Sequence, residues 1–186
     1  MSSGWPTPNW TTVTLPADFL EGIERVPGSD TYWVSESSTA RAFLISDAGT
    51  VLRTLDFSTS LSYLNAVLGT ASSPSVLVQA RNWVPSTRTF VPRLLLVTPP
   101  STNGPDLFAR SSTPVENAYG TLKQLPNGNL LEWGIVTDTA REISTADAGY
   151  SPVSTVLVQG GVVGVWCVGR TCWVYGDQGQ ILRKTF

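Results

Sequence analysis

Trp33-Val34-Ser35-Glu36-Ser37-Ser38-Thr39-Ala40-Arg41-Ala42-Phe43-Leu44-Ile45-Ser46-Asp47-Ala48-Gly49 decides the fold, because its landmarks return at an offset of 100 residues. Thr39-Ala40-Arg41 is answered by Thr139-Ala140-Arg141, Asp47-Ala48-Gly49 by Asp147-Ala148-Gly149, and Trp33 by Trp133. Upstream, Gly22, Arg25, Val26 and Pro27 correspond to Gly120, Lys123, Leu125 and Pro126 with a one-residue slip. A self-match of this size means modular architecture, two internal repeats whose halves run over about 11–98 and 106–186.

Within the first repeat the pattern is that of short strands. Thr31–Ser35, Ala42–Ser46 and Val51–Leu55 are rich in β-branched and aromatic residues and are separated by turn formers. Asp47-Ala48-Gly49 fits a tight hairpin, with Asp opening the turn and Gly in the left-handed position. Asp177-Gln178-Gly179, followed by Ile181-Leu182-Arg183, repeats the device near the end of the chain. Strands are also expected near 11–15, 20–26, 62–68, 75–82, 90–98, 106–111, 118–125, 129–137, 140–146, 153–159, 162–168, 171–176 and 180–186. Counted with 31–37, 41–46 and 50–57 these make sixteen, or four sheets of four in units of about 46 residues. Residues 59–69 also suit a short helix capped by Gly69. The Pro-bearing loops at 99–105 and 113–114 read as a hinge between the halves. Residues 1–10 form an N-terminal arm, and 11–186 a single all-β, β-propeller-like domain of about four blades of four antiparallel strands.

Leu20–Ser35 followed by Phe43–Arg53 resembles one blade of an NHL- or YVTN-type propeller: Gly-Ile, a turn, aromatic-Val, a polar loop, an apolar strand, Asp-x-Gly and a further strand. The resemblance is good over 20–57, fair over 118–149 and 162–186, and poor over 58–111. It implies blade architecture. It carries no function, because propellers host hydrolases, lectins and scaffolds alike.

Composition narrows the chemistry. Charged residues are 14% of the chain, against about 25% in an average globular protein. A β-rich chain with many Ser and Thr explains this, and so does a surface covered by other chains. Net charge is −2 and no Lys/Arg block occurs, so no nucleic-acid footprint is present. The twelve basic residues are mostly Arg, a choice common at interfaces that codon composition also produces. No apolar run approaches 18 residues, so no transmembrane helix and no membrane partner are expected. Met1–Pro8 lacks the basic and apolar regions of a signal peptide. Assembly in a host cytoplasm is the expectation.

The chain has no His, which removes Ser-His-Asp and Cys-His nucleophilic sites and His-ligated zinc. No Gly-rich phosphate loop and no Gly-x-Ser-x-Gly occurs. Asp47, Asp147 and Asp177 have a local turn-forming reason to be present. Any two of the fourteen acidic residues could converge as a glycosidase pair, but none advertises it. The expectation is therefore no catalytic residues, no metal and no cofactor. Cys167 and Cys172 flank a two-residue Gly169-Arg170 turn and should face one another as a non-hydrogen-bonded pair, within disulfide reach. Free thiols are the favoured state for a reducing compartment.

Of seven Trp, Trp33, Trp133, Trp166 and Trp173 lie in strand patterns and are read as packing between blades. Trp5 and Trp10 lie in the Pro-interrupted arm. Trp83, with Arg88, lies at an expected loop. An aromatic on a loop anchors a protein interface, stacks on a sugar, or docks on its own surface. Trp5, Trp10, Trp83 and Arg88 are the candidate partner-binding residues. The function these features favour is a non-enzymatic structural or interaction module contacting other subunits or copies of itself, with a phage or virus particle component (decoration, tail or fibre-associated) as its concrete form and the virion as its location. A glycan-binding propeller comes second, and a small propeller hydrolase or lyase third. A ring of sugar sites should follow the 100-residue repeat, whereas assembly contacts should break it.

Overall fold

The computed structural model describes residues 12–69, 76–98, 108–114, 120–134, 138–144 and 152–186. They form four small antiparallel sheets arranged in a ring, a four-bladed propeller-like architecture. Sheet I contains β1 (Leu20–Arg25), β2 (Thr31–Glu36), β3 (Arg41–Ser46) and β4 (Val51–Asp56). Sheet II contains β5 (Tyr63–Gly69), β6 (Val76–Val84), β7 (Thr89–Thr98) and β8 (Phe108–Pro114). Sheet III contains β9 (Gly120–Gln124), β10 (Leu130–Gly134), β11 (Thr139–Ile143) and β12 (Pro152–Leu157). Sheet IV contains only β13 (Val162–Val168), β14 (Thr171–Gly176) and β15 (Ile181–Thr185). Every sheet is a meander in which consecutive strands pair.

Turn chemistry sets the meanders. Gly49 and Gly179 adopt φ of 80° and 78°, in the left-handed region that an L side chain avoids. In each hairpin the strand ends hydrogen-bond across the turn, Ser46 N–H to the Thr50 carbonyl and Gly176 N–H to the Gln180 carbonyl, both at 2.9 Å. Pro27 and Pro126 hold matching places in the first hairpins of sheets I and III. There the N–H groups of Val26 and Leu125 donate to the carbonyls of Thr31 and Asn129 at 2.9 and 2.8 Å.

The repeat is visible in the packing. Trp33 is on the second strand of sheet I and Trp133 on the second strand of sheet III. They are 5% and 8% exposed, and each fills the core between its own sheet and the next. Trp33, Ala42, Leu55 and Phe57 meet Leu64, Val67, Val78 and Val97 between sheets I and II. Ala66, Leu68, Leu77 and Leu94 meet Leu122, Leu130 and Ile143 between II and III. Leu131, Trp133 and Ala140 meet Val162, Cys172 and Val174 between III and IV. Among the described residues no such cluster joins sheet IV back to sheet I. The outer face of sheet I is covered instead by the chain's own segment 12–17, whose Leu15 and Ala17 lie on Val34, Phe43 and Ile45.

Three expectations need correction. Residues 12–15 form no strand, and among the described residues the last sheet has three strands and not four. Their apolar residues are used on the face of sheet I. The strand expected near 62–68 is β5, and the helical alternative over 59–69 does not form, because Leu64, Ala66, Val67 and Leu68 are buried from both sides between two sheets. The Thr-Ala-Arg match is not structurally equivalent. Ala40 sits in the β2–β3 turn with φ of 51°, whereas Ala140 lies inside β11 opposite Trp133. Trp33 faces Leu44 across its ladder, so the tripeptides differ by four residues in register. Residues 113–114 end β8 and are not a hinge. The expected loop at 99–105 and the Asp147-Ala148-Gly149 turn lie outside the described residues.

Candidate functional site

Paired carboxylates are one route to catalysis that needs no His. Each buried acid ties the fold together. Glu36, at the end of β2, accepts hydrogen bonds from the backbone N–H groups of Ser38 and Thr39 at 3.0 Å and from both hydroxyls. Burial opposes its charge, but these four donors outweigh it and hold the carboxyl below its usual range. Glu132 pairs with Arg141 at 2.7 Å and accepts from Gln79 Nε2 at 3.4 Å, which links sheet III to sheet II. Glu24 on β1 and Lys123 on β9 meet at 2.8 Å, joining sheets I and III. Burial dominates at Glu24 and raises its pKa despite the Lys123 partner.

Glu142 joins sheets III and IV. It accepts from Lys184, from Asn127 at 3.0 Å, from Asn129 at 2.7 Å and from Ser154 at 3.3 Å. Burial works against the charged form. The donors, Lys184 foremost, overcome it and hold the carboxyl at about 2. These acids were missed in the sequence because a Glu in an alternating strand reads as solvent-facing. Among the described residues no group of three His, Cys, Asp or Glu could hold a metal ion.

The candidate binding residues divide. Trp5 and Trp10 lie outside the described residues. Trp83 lies near the end of β6, not in a loop. It packs on Phe90 of β7 at 5.0 Å and stays 44% exposed. Beside it Phe90 meets Tyr63 edge-on at 5.2 Å, and the Arg81 guanidinium lies over Tyr63 at 4.8 Å. Arg88 occupies the β6–β7 turn with φ of 52°, so it is a turn residue first. Trp83 thus belongs in part to its own surface.

The largest departure is on sheet IV. Trp166 was read as packing between blades, but it is 62% exposed. The ladder explains why. Trp166 pairs with Trp173, and Trp173 with Arg183; Gly164 pairs with Tyr175, and Tyr175 with Ile181. Side chains alternate across a strand, so these residues share one face while Val165, Cys172, Val174 and Leu182 turn inward to the core with sheet III. Trp166 and Trp173 stack at 5.5 Å with planes 29° apart. Tyr175 lies across Gly164, where a Cβ would come within 2.4 Å of its hydroxyl oxygen. Val168 and Ile181 extend the exposed apolar surface on either side. The alternation in Val165-Trp166-Cys167-Val168 announces a strand, but it does not say which of its faces the next element will cover.

The hairpin carrying this face is stapled. Cys167 and Cys172 face each other with Cα atoms 4.1 Å apart and form a disulfide, not the free thiols expected. The geometry was legible in the two-residue turn, but redox state is a property of the compartment. A loop this short gains little from closure. On the inward side of the same sheet, a cavity of about 310 Å³ opens between sheets III and IV, lined by Leu131, Val156, Val174, Leu182 and Phe186 with Glu142 and Lys184 at its polar end. No protein-family model and no curated protein matches the chain.

Proposed function

We propose that this chain is a non-enzymatic interaction module, a subunit that joins a larger assembly through the outer face of sheet IV. The observation that carries the reading is the exposed Trp166 in its stack with Trp173, continued by Tyr175, Val168 and Ile181. A contiguous apolar face rimmed by polar residues marks an interaction surface, and buried Trp and Tyr dominate interface energetics. The face also breaks the repeat. The aromatic cluster on sheet II, around Trp83 and Phe90, is built differently and keeps its Arg within the ring contacts. A phage or virus particle is the assembly proposed, in keeping with the low charge content and the preference for Arg over Lys.

A second reading has one observation in its favour. The stacked pair Trp166–Trp173 with Arg183 beside it is a flat aromatic platform of the kind a sugar ring stacks on. The two readings part on one experiment. Trp166→Ser is compared with Trp83→Ser for retention in the native particle and for quenching of tryptophan fluorescence by oligosaccharides. The assembly reading expects Trp166→Ser to leave the particle and no sugar to quench. Retention of Trp166→Ser together with sugar quenching that it abolishes means a lectin.

A further inference from the structure

Among the described residues, sheets I, II and III each end in a fourth strand, and sheet IV does not. The place beside β15 is empty among the described residues. Hydrogen-bonded and non-hydrogen-bonded pairs alternate in an antiparallel ladder. The bonds Gly176 N–H to Gln180 and Phe186 N–H to Arg170 set the phase. In that phase Leu182 and Lys184 bond to β14, while the backbone N–H and C=O groups of Ile181, Arg183 and Thr185 point away from the sheet. This is an unpaired edge ready to template another strand.

Two further features border that edge. Inward lies the cavity of about 310 Å³, with Leu182 and Phe186 among its walls. By the alternation of β15, Arg183 falls with Trp173 on the outward face; it is exposed and makes no ion pair among the described residues. Lys184 is held by Glu142. A second copy of β15 fits badly here, because antiparallel self-pairing about the strand centre sets Arg183 beside its own image, and like charges across a ladder repel.

We infer that the edge of β15 is a receptor for an extended segment of another protein in which acidic residues alternate with apolar ones, added as the fourth strand of sheet IV. Its backbone takes the bonds offered by Ile181, Arg183 and Thr185. Its apolar side chains face the cavity, and its carboxylates lie beside Arg183. Main-chain bonding supplies affinity and alternate side chains supply specificity, as in other strand additions. The inference rests on sheet IV being the interaction face.

The test uses the full chain and two capped peptides, TEVEVEVT and a control with Lys in place of each Glu. Amide exchange is followed by NMR. In the free chain the amides of Leu182 and Lys184 should be protected and those of Ile181, Arg183 and Thr185 should exchange fast. Adding TEVEVEVT should protect the latter three, and the Lys peptide should not. Arg183→Glu should weaken TEVEVEVT about fivefold and improve binding of the Lys peptide. That charge-swap rescue separates a specific edge from a damaged fold. Equal binding of both peptides, or of neither, overturns the inference. So does protection of the three amides in the free chain, whether it vanishes on removal of residues 1–11 (the chain's own arm fills the edge) or on dilution (a second copy fills it). Failure of the peptide arm together with burial of Trp166 in the native assembly would reject the added strand and leave the interaction face standing.

Discussion

The face of sheet I turned away from sheet II and the face of sheet IV turned away from sheet III flank the junction of the ring at which the described residues form no packed cluster, and they are finished differently. On sheet I, Val34, Phe43 and Ile45 are covered by Leu15 and Ala17 of the segment that precedes β1. On sheet IV, Trp166, Tyr175 and Ile181 are the corresponding outward residues, and nothing among the described residues covers them. Both faces are apolar. What differs is whether the described residues supply a cover. Strand alternation specifies a face that must be dry on one side, but the cover on the other side is decided by a remote segment or by another molecule. An apolar face that the described residues leave open is the basis of the interaction surface proposed above.

The sharpest contrast is a pair of truncations. Phe43→Ala removes a buried ring from the covered face and should cost about 3–5 kcal/mol. Trp166→Ser removes a larger ring from the open face and should change stability of the isolated chain by less than about 1 kcal/mol. Chemical denaturation of both variants measures this, and comparable losses would mean that sheet IV is covered after all.

Next in size is Gly49→Val. It forces a β-branched residue into the left-handed region, and a Cβ there lies 2.3 Å from Val13 Cγ2. The covering segment and the hairpin should be disturbed together, at a cost of about 2 kcal/mol or more. Ala48→Ser, one residue away, should leave the melting temperature unchanged. Equal tolerance of the two would detach the cover from the turn.

A comparable effect is expected from acid. The Glu142 carboxyl is held at about 2 in the folded chain. A depressed carboxyl stabilises the fold above its unfolded pKa, and that stability is lost as pH falls through the folded value. Stability should therefore decline between roughly pH 5 and pH 2, with Glu142 contributing on the order of 2 kcal/mol. Glu36, also lowered, adds to the same slope. Glu24 is raised and acts in the opposite sense, since folding there favours the proton. Urea midpoints across this range for the natural chain and Glu142→Gln check the assignment. The variant should be less stable near neutrality and show a flatter acid decline; parallel curves would remove Glu142 from the account.

Much of this architecture can be read from particular residues. The positive-φ glycines of the Asp-x-Gly turns, the facing cysteines and the equivalence of Trp33 with Trp133 all follow from local rules of turn, ladder and repeat. The misreadings share one physical cause. Trp166 in a strand pattern looks like Trp133 in a strand pattern, because the alternation is the same and only the neighbouring sheet differs. Residues 12–15 look like a strand because Val13 and Leu15 alternate, but a partner edge was needed and a face was available instead. Glu132 and Glu142 escaped notice because donors that bind them, Gln79 and Lys184, come from other sheets. The Thr-Ala-Arg identity was real in sequence and off by four in the ladder, since hairpin length varies between repeats.

The smallest stability effect is expected from removal of residues 1–10. Trp5 and Trp10, stiffened by Pro6 and Pro8, are proposed as anchors on a neighbouring subunit. Deletion should abolish assembly while the monomer melts as before, because the cover of sheet I begins with the segment that remains. A monomer that melts much lower would make the arm part of the fold.

The central claim is that the outer face of sheet IV is open in the isolated chain and closed in its assembly. Hydroxyl-radical footprinting of tryptophan in both states tests it directly. Trp166 should label fast in the isolated chain and be strongly protected in the native assembly, while Trp33 and Trp133 should label little in either. Protection of Trp166 in the isolated monomer, or equal labelling of it in both states, would contradict the account.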